Sequence, residues 1–324
     1  MPSAAHFTAL TPEIILTAAE QMGIRSTGYY NALNSLENRV FEVEFEDNNK
    51  VIIKFYRPGR WSEAAILDEH RLLLALQEEE IPVIAPLKFS DGKTLRKFDD
   101  FYFALFPKMG GRIPNDFSLS DYRDLGRIVA RIHNIAARLG LKNRHELSAT
   151  TYGTHALKSL MENHRIERLK KNQAIMTRYQ ATAERFIALA QACLSAAPHS
   201  LIHADLHRGN LLQPGRNFLV LDFDDLAYGP VAQDFWLLLP SRIENCANEF
   251  QAILEGYNDF RQMTSPVPAV CEALRGLRYI RYCAWICERY EDSAFQLAFP
   301  GWGEERYWQE QINDLYEQIQ ILEQ

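Results

Sequence analysis

Residues 201–225, LIHADLHRGNLLQPGRNFLVLDFDD, constrain the fold of this 324-residue chain more than any other stretch. A short apolar approach leads into a polar loop carrying His203, Asp205 and Asn210. Pro214-Gly215 marks a turn, and the strand Phe218–Leu221 ends on Asp222, the first of three acids in four residues. A carboxylate and a carboxamide five positions apart, followed by a carboxylate at a strand end, suit magnesium-dependent phosphoryl transfer. One carboxylate orients the attacking hydroxyl, while the amide oxygen and the second carboxylate hold magnesium on the phosphates.

The length allows two domains, or two lobes flanking a cleft. Hydrophobic residues at 47% and charged residues at 24% are ordinary for a globular protein. A net charge of −7 argues against a dominant nucleic-acid surface and leaves room for a local basic cleft. The five cysteines show no paired short spacing. Cys283 and Cys287 lie one helical turn apart with no histidine beside them, which reads as buried thiols in a reducing compartment. The N-terminal MPSAAHFTAL has no basic region leading into an apolar core, and no apolar run approaches a membrane span. A cytoplasmic monomer is the expectation, with no nucleic-acid or membrane partner.

Thr11-Pro12-Glu13 is a helix start, with threonine as cap and proline in the first turn, and the helix runs to Met22 before Gly23. From Gly28 the chain reads as strand, broken over Asn31–Asn38. Phe41, Val43 and Phe45 alternate with Glu42, Glu44 and Glu46; a turn at Asp47-Asn48-Asn49 leads to Val51, Ile53 and Phe55. This is a β-hairpin with one polar face. Lys54 falls opposite Val51, Ile53 and Phe55, as either a solvated lysine or a phosphate-binding one. Ser62 caps a helix on which Ile66, Glu69, Leu73 and Leu76 share a face. An acid among apolar residues needs a cation, and Lys54 is the candidate, with Asp68 as a rival for Glu69. Phe101–Phe106 is a near-continuous apolar strand of the fully buried type, stopped at Pro107 and followed by Gly110-Gly111, a natural lobe boundary.

Beyond Asp116 the pattern is mainly helical. Tyr122, Leu125, Val129, Ile132 and Ala136 mark one helix, with His133 beside that face as a core residue. Residues 140–153 read as a loop, and Tyr179 to Leu194 as a strongly amphipathic helix. Asp234 begins the apolar DFWLLL, and further helices fall at Glu249–Phe260, Val270–Arg289 and from Glu304 onward. In Val270–Arg289 the side chains of Arg275, Arg278, Arg281, Tyr282 and Trp285 form either an outward basic edge or a wall for the acceptor.

Other chemistries fit less well. A zinc site would recruit His203 and His207, but no HExxH pairing exists and a third ligand would have to come from elsewhere. No GxSxG elbow and no GxxxxGK[ST] loop are present. The order of strand lysine, helix glutamate, apolar strand and break, HxDxxxxN loop and strand-borne aspartate is what kinase-type transfer requires.

HADLHRGN followed by LDFDD resembles the catalytic and metal-binding segments of the aminoglycoside phosphotransferase and choline kinase superfamily. LNSLENRVFEVEF, VIIKFYRPGRW, FALFPKMGGR and YGPVAQDFWLLL narrow the resemblance to the bacterial stress response kinase A family of serine/threonine protein kinases. The resemblance implies an α+β, bilobal kinase-like fold using ATP and Mg2+. Residues 1–106 would form the β-rich N-terminal lobe, 107–111 the hinge and 112–324 the helical lobe. It further implies Asp205 as catalytic aspartate, Asn210 and Asp222 as metal ligands, with Asp222 also needed for catalysis. Lys54 would contact phosphates, Glu69 would pair with it, and Ser35 would contact ATP. Pro107, Lys108 and Met109 would offer backbone groups to adenine, and Asp234 would brace the catalytic loop. Asn34–Arg39 stands where protein kinases carry a glycine-rich loop and holds no glycine, so phosphates there would rely on Ser35 and nearby backbone N–H groups. DFDD replaces DFG, leaving Asp224 either an auxiliary metal ligand or a solvated acid. The expected activity is phosphorylation of protein serine or threonine in a stress response. A small-molecule kinase for an amino alcohol, sugar or aminoglycoside is the alternative, and an inactive nucleotide-binding module a further one.

Overall fold

The alternating segment Arg39–Phe55 becomes the centre of a sheet with both faces covered. A computed structural model of the chain describes residues 7–163, 173–264 and 267–324. These fall into two compact units. The first comprises residues up to Arg144 with His207–Leu226 and Glu255–Arg261; the second comprises His145–Leu206, Ala227–Leu254 and Gln262–Gln324.

In the first unit, helix α1 (Pro12–Glu20) is capped by Thr11, whose Oγ1 accepts from the Ile14 N–H. Five antiparallel strands follow: β1 (Ser26–Leu33), β2 (Arg39–Phe45), β3 (Lys50–Phe55), β4 (Arg96–Phe98) and β5 (Phe101–Pro107), in the order β1-β2-β3-β5-β4. Strand β1 continues through Asn31–Leu33, which pairs with Val40–Glu42, so the break is confined to residues 34–38. Polar side chains in an edge strand hid that extension, since the exposed residues of β1 show no apolar alternation. Phe41, Val43, Phe45, Val51, Ile53, Phe55, Phe101, Phe103 and Leu105 pack with Ile15, Ala18 and Ala19 of α1.

The opposite face is not solvated. Helix α2 (Glu63–Glu78), capped by Ser62, packs there through Ile66 against Tyr56, Leu95 and Ala104. Lys54 lies across from Ala104 in the β3–β5 register, and the small side chain leaves room for the lysine stem under α2. Helix α3 (Leu119–Leu139) starts with a reciprocal cap between Ser118 and Asp121 and ends on Gly140 in the left-handed conformation. It buries His133, which shares a 3.1 Å hydrogen bond with Tyr257.

The hairpin around Pro214-Gly215 belongs to this unit. Strand pairing in the Pro214-Gly215 hairpin is limited to two residues on each side, β7 (Leu211–Leu212) and β8 (Leu219–Val220). The hairpin is pinned at both edges: the Val220 N–H donates to the Pro82 carbonyl at 2.8 Å, and the Gln213 N–H to the Arg112 carbonyl at 2.8 Å. Gly111 is required beside it, because a Cβ there would stand 2.6 Å from the Leu212 side chain.

The second unit is helical. Residues Ala149–His155, expected as loop, form a π-helical turn continuing into α4 (Ala156–Met161). A reciprocal cap starts it, with Ser148 Oγ accepting from the Thr151 N–H and Thr151 Oγ1 from the Ser148 N–H. That pairing resembles a capping box, but the short turn after it carries too few apolar residues to show a helical period. Helix α5 (Gln173–Leu194) packs on α8 (Val267–Arg289) and α10 (Glu305–Leu322), with Tyr179 against Trp308 at 5.2 Å. Strands β6 (His199–Ile202) and β9 (Ala227–Pro230) form a short antiparallel ladder. The apolar DFWLLL yields only the four-residue helix α6 (Gln233–Trp236); α7 (Ala247–Asn258) and α9 (Ser293–Ala298) complete the described helices. All five cysteines are free thiols. Among the described residues no helix is long and apolar enough to cross a membrane.

Candidate functional site

Lys54 is the pivot of a buried charge cluster in the first unit. Its Nζ lies 3.2 Å from Asp224, 3.3 Å from Asp222 and 3.4 Å from Glu69. It also sits 4.8 Å from the centre of the Tyr56 ring. Burial alone would push the ammonium pKa down, but Asp224, Glu69 and Asp222 outweigh it and hold the lysine charged well above its ordinary range. Glu69 is the partner on α2. Its rival Asp68 faces away and accepts the Asn143 N–H at 2.9 Å and the Lys142 N–H at 3.2 Å. Burial raises the Glu69 carboxyl to about 7 against the pull of Lys54.

Asp224 is neither solvated nor free to wander: it is 3% exposed. Besides Lys54 it pairs with the Arg60 guanidinium and takes a hydrogen bond from Asn38. Burial would raise its carboxyl, but Lys54, Arg60 and Arg144 hold it well below the usual carboxylate range. With two cations on its oxygens, Asp224 serves as their counter-ion. Arg144, 8% exposed, donates to the carbonyls of Ala65, Leu226 and Asp224, tying the start of α2 to the segment after Asp222.

The glycine-free loop of residues 34–38 is held by arginines. The Arg57 Nε donates to the Glu37 carbonyl at 2.9 Å, its Nη2 to the Leu36 carbonyl at 3.0 Å, and Arg39 to the Leu36 and Asn38 carbonyls at 3.2 Å. The buried Asn38 side chain accepts the Arg57 N–H at 3.1 Å. Carbonyls that a flexible glycine loop would leave to water are therefore fixed. Ser35 is half-buried in this loop. At the end of β5, Pro107 pairs with Val51, the Lys108 ammonium is bound to Glu42, and Met109 is exposed.

Asn210 ends a single 3-10 turn, and its carbonyl accepts the Leu221 N–H at 2.9 Å. That bond sets Asn210 beside the strand leading to Asp222. Asp222 adopts the left-handed conformation, φ 56° and ψ 69°, one of the few that aspartate tolerates better than most residues. Its side chain is 54% exposed. Magnesium on a nucleotide commonly takes one or two carboxylates with the phosphates supplying the rest, and an exposed carboxylate near Asn210 fits that habit. No group of three His, Cys, Asp or Glu side chains gathers as a metal cage among the described residues.

Asp205 lies in the second unit. The residue before it, Ala204, has φ 70°, a conformation costly for alanine. Asp234, itself 1% exposed, holds it there: its two oxygens accept the His203 N–H at 2.7 Å and the Ala204 N–H at 2.8 Å. Gln233 donates to the Ala204 carbonyl at 2.7 Å. His203 is fully buried, and its Nδ1 accepts the Asp205 N–H at 3.3 Å. In the first unit, His207 Nδ1 accepts the Gly209 N–H at 2.9 Å. Both histidines accept backbone N–H groups and so shape the loop.

The basic edge of α8 is not a free solvated one. Arg275 pairs with Glu272 and covers Trp236, Arg281 pairs with Glu288, and Arg278 Nη2 lies 2.8 Å from Asp205 Oδ1. Sequence reasoning missed Arg60, Arg144 and the Arg278 contact. Arg60 stood within RPGRW and Arg278 within a flagged arginine series, but Arg144 carried no local signal.

The family model described as the phosphotransferase enzyme family matches residues 31–271, more than half of the chain. Stress response kinase A of Escherichia coli (strain K12) is 33% identical over 323 residues, covering 99% of this chain and 96% of that protein. Serine/threonine protein kinase RdoA of Salmonella typhimurium (strain LT2) is 32% identical, covering 98% and 94%. Among solved structures, amicoumacin kinase hAmiN superposes with a TM-score of 0.70 at 20% identity, over 90% of this chain and 92% of that one. A microcompartment-associated aminopropanol kinase gives 0.66 at 19%, over 96% of each chain. The five-stranded antiparallel sheet, the helical remainder and these likenesses agree on the α+β aminoglycoside phosphotransferase-like fold. The chain belongs to the phosphotransferase enzyme family, with stress response kinase A among its near full-length relatives.

Proposed function

We propose that this phosphotransferase uses ATP and Mg2+ to phosphorylate serine or threonine of a protein as part of a stress response. The observation that carries the reading is the buried Lys54–Glu69 pair with Asp222 3.3 Å from the same ammonium. The near full-length relatives are named as stress response and serine/threonine kinases, which supports a protein acceptor. Structural neighbours below 25% identity speak for the fold alone.

Lys54, held by Glu69, orients the α- and β-phosphates. Asn210 and Asp222 would hold Mg2+, which when bound would neutralise charge on the phosphates. Ser35 and the N–H groups of residues 34–38 border the phosphates, while backbone groups of Pro107, Lys108 and Met109 take adenine at a hinge of residues 107–111. Asp205, set by Asp234 through the Ala204 turn, positions the acceptor hydroxyl and takes its proton late in the transfer. The work is positioning and charge neutralisation, as a loose transition state requires.

Asp222→Ala is expected to abolish phosphate transfer from labelled ATP in the presence of magnesium. Transfer persisting in that variant would falsify the assignment. A basic model protein and a panel of small alcohols, each offered with labelled ATP, separate the acceptor classes. Labelling of the alcohols alone would sink the protein-kinase reading.

A further inference from the structure

The contact between Arg278 and Asp205 bears on the acceptor itself. Its side chains are 33% and 23% exposed, and the Asp205 oxygen in the contact is the buried one, Oδ1, which leaves the exposure to the rest of the two side chains. Neighbouring arginines on α8 have carboxylates of their own on that helix: Glu272 for Arg275 at 3.3 Å and Glu288 for Arg281 at 3.6 Å. Arg278 alone in this series of three has its carboxylate on the Asp205 loop. One turn along, Tyr282 is 41% exposed and stacks on Trp285 at 5.3 Å. Burial pushes its phenol up, and it senses both the Arg278 and Asp205 charges, which places it at the same surface.

We infer that Arg278 selects acceptors whose hydroxyl lies beside an anionic group and disfavours those with a neighbouring ammonium. The inference rests on Asp205 facing the acceptor hydroxyl, as proposed above. A carboxylate has lone pairs enough for a guanidinium on one oxygen and a hydroxyl on the other. Arginine keeps its charge throughout. With the 2.8 Å ion pair on one side and a hydrogen bond of ordinary length on the other, the guanidinium would stand roughly 5 to 7 Å from the reacting hydroxyl. A charge on the acceptor at that distance changes binding about ten- to a hundredfold at the dielectric of a protein surface. An attached carboxylate or phosphate gains this factor from Arg278 and an ammonium loses it, in each case against the opposite pull of the Asp205 carboxylate. The chain's net charge of −7 would by itself draw basic acceptors, so a preference for acidic ones cannot arise from the global field.

The test uses the full chain, Mg-ATP and four acceptors: two peptides identical except for aspartate or lysine on either side of one serine, and the small alcohols glycerate and ethanolamine. Arg278→Gln is expected to lower the acidic-to-basic ratio of kcat/KM at least about tenfold on the pair the wild type accepts, and that pair shows whether the hydroxyl belongs to a protein or to a small molecule. Arg278→Lys should keep most of the wild-type ratio, and Arg278→Glu should lower it further. Arg281→Gln should leave it intact, and circular dichroism checks the fold of each variant. Transfer to no member of either pair, or a ratio unchanged or raised in Arg278→Gln, would overturn the inference. So would a uniform change on all acceptors, which marks Arg278 as a general brace for Asp205. Magnesium-dependent ADP release persisting in any of these cases leaves the phosphotransferase reading standing. Its absence from the wild type under every condition removes that reading and the inference together.

Discussion

Replacing Glu69 with Gln separates what the buried cluster costs in stability from what it contributes to function. Glu69 is 1% exposed, spends Oε1 on Lys54 at 3.4 Å, and has Oε2 buried without a hydrogen-bond partner among the described residues. Burial lifts its carboxyl from 4.5 to about 7. The unfolded chain releases this proton near the lower value and the folded chain near the higher one. The folded state therefore holds more protons in that window and loses stability as pH rises through it. At about 1.4 kcal/mol for each pH unit, the gap corresponds to roughly 3 kcal/mol, nearly absent at about pH 4.5 and complete by about pH 8. Glutamine keeps the shape without the charge, and Lys54 retains Asp224 at 3.2 Å and Asp222 at 3.3 Å. The variant is expected to exceed the wild type by up to about 3 kcal/mol at pH 8 and to match it closely at about pH 4.5. Activity should fall about tenfold or more, because the lysine loses the partner that aims it. Urea titrations of both proteins at the two pH values, with a kinase assay at the higher one, measure this. A variant less stable than the wild type at pH 8, or a difference that ignores pH, would refute the reasoning.

Asp234→Ala strips two buried N–H groups of their acceptor and frees Ala204 from its left-handed turn. A loss of about 3 to 5 kcal/mol in denaturant stability is expected, with kcat falling further than the KM for ATP rises. Gly256→Ala would place a Cβ 1.8 Å from the Arg123 carbonyl oxygen, backbone that cannot rotate away. Differential scanning should show it destabilised by about 3 kcal/mol or more, whereas Gly301→Ala, which meets nothing within 4 Å, should melt close to the wild type.

Patterns that repeat along the chain were legible in the sequence. Alternation over Phe41–Phe55 located two strands and put Lys54 on the face opposite Val51, Ile53 and Phe55; Thr11 and Ser62 announced their helices as caps. Glu69 stood out because an acid among apolar helix positions demands a cation, and the structure supplies Lys54. The spacing of Asp205, Asn210 and Asp222 in a single segment is what prompts the proposal of phosphoryl transfer there. Where the signal was weak, the reading slipped: polar β1 was cut short, and the turn at Ala149–His155 passed for loop.

What the sequence determined by itself was therefore the type of each strongly periodic element and the candidate groups proposed for phosphoryl transfer. Local spacing is enough for both, since side-chain periods and caps act within a few residues. The tertiary structure decided the partners. Whether Asp68 or Glu69 meets Lys54 depends on the rotation of α2 over the sheet, which neighbouring apolar residues left ambiguous. Asp224 became a buried counter-ion only because Arg60, about 160 residues earlier in the chain, folds onto it. Arg144 and Arg278 follow the same rule. A long-range charge pair needs two surfaces brought together, and no period within either segment records the other.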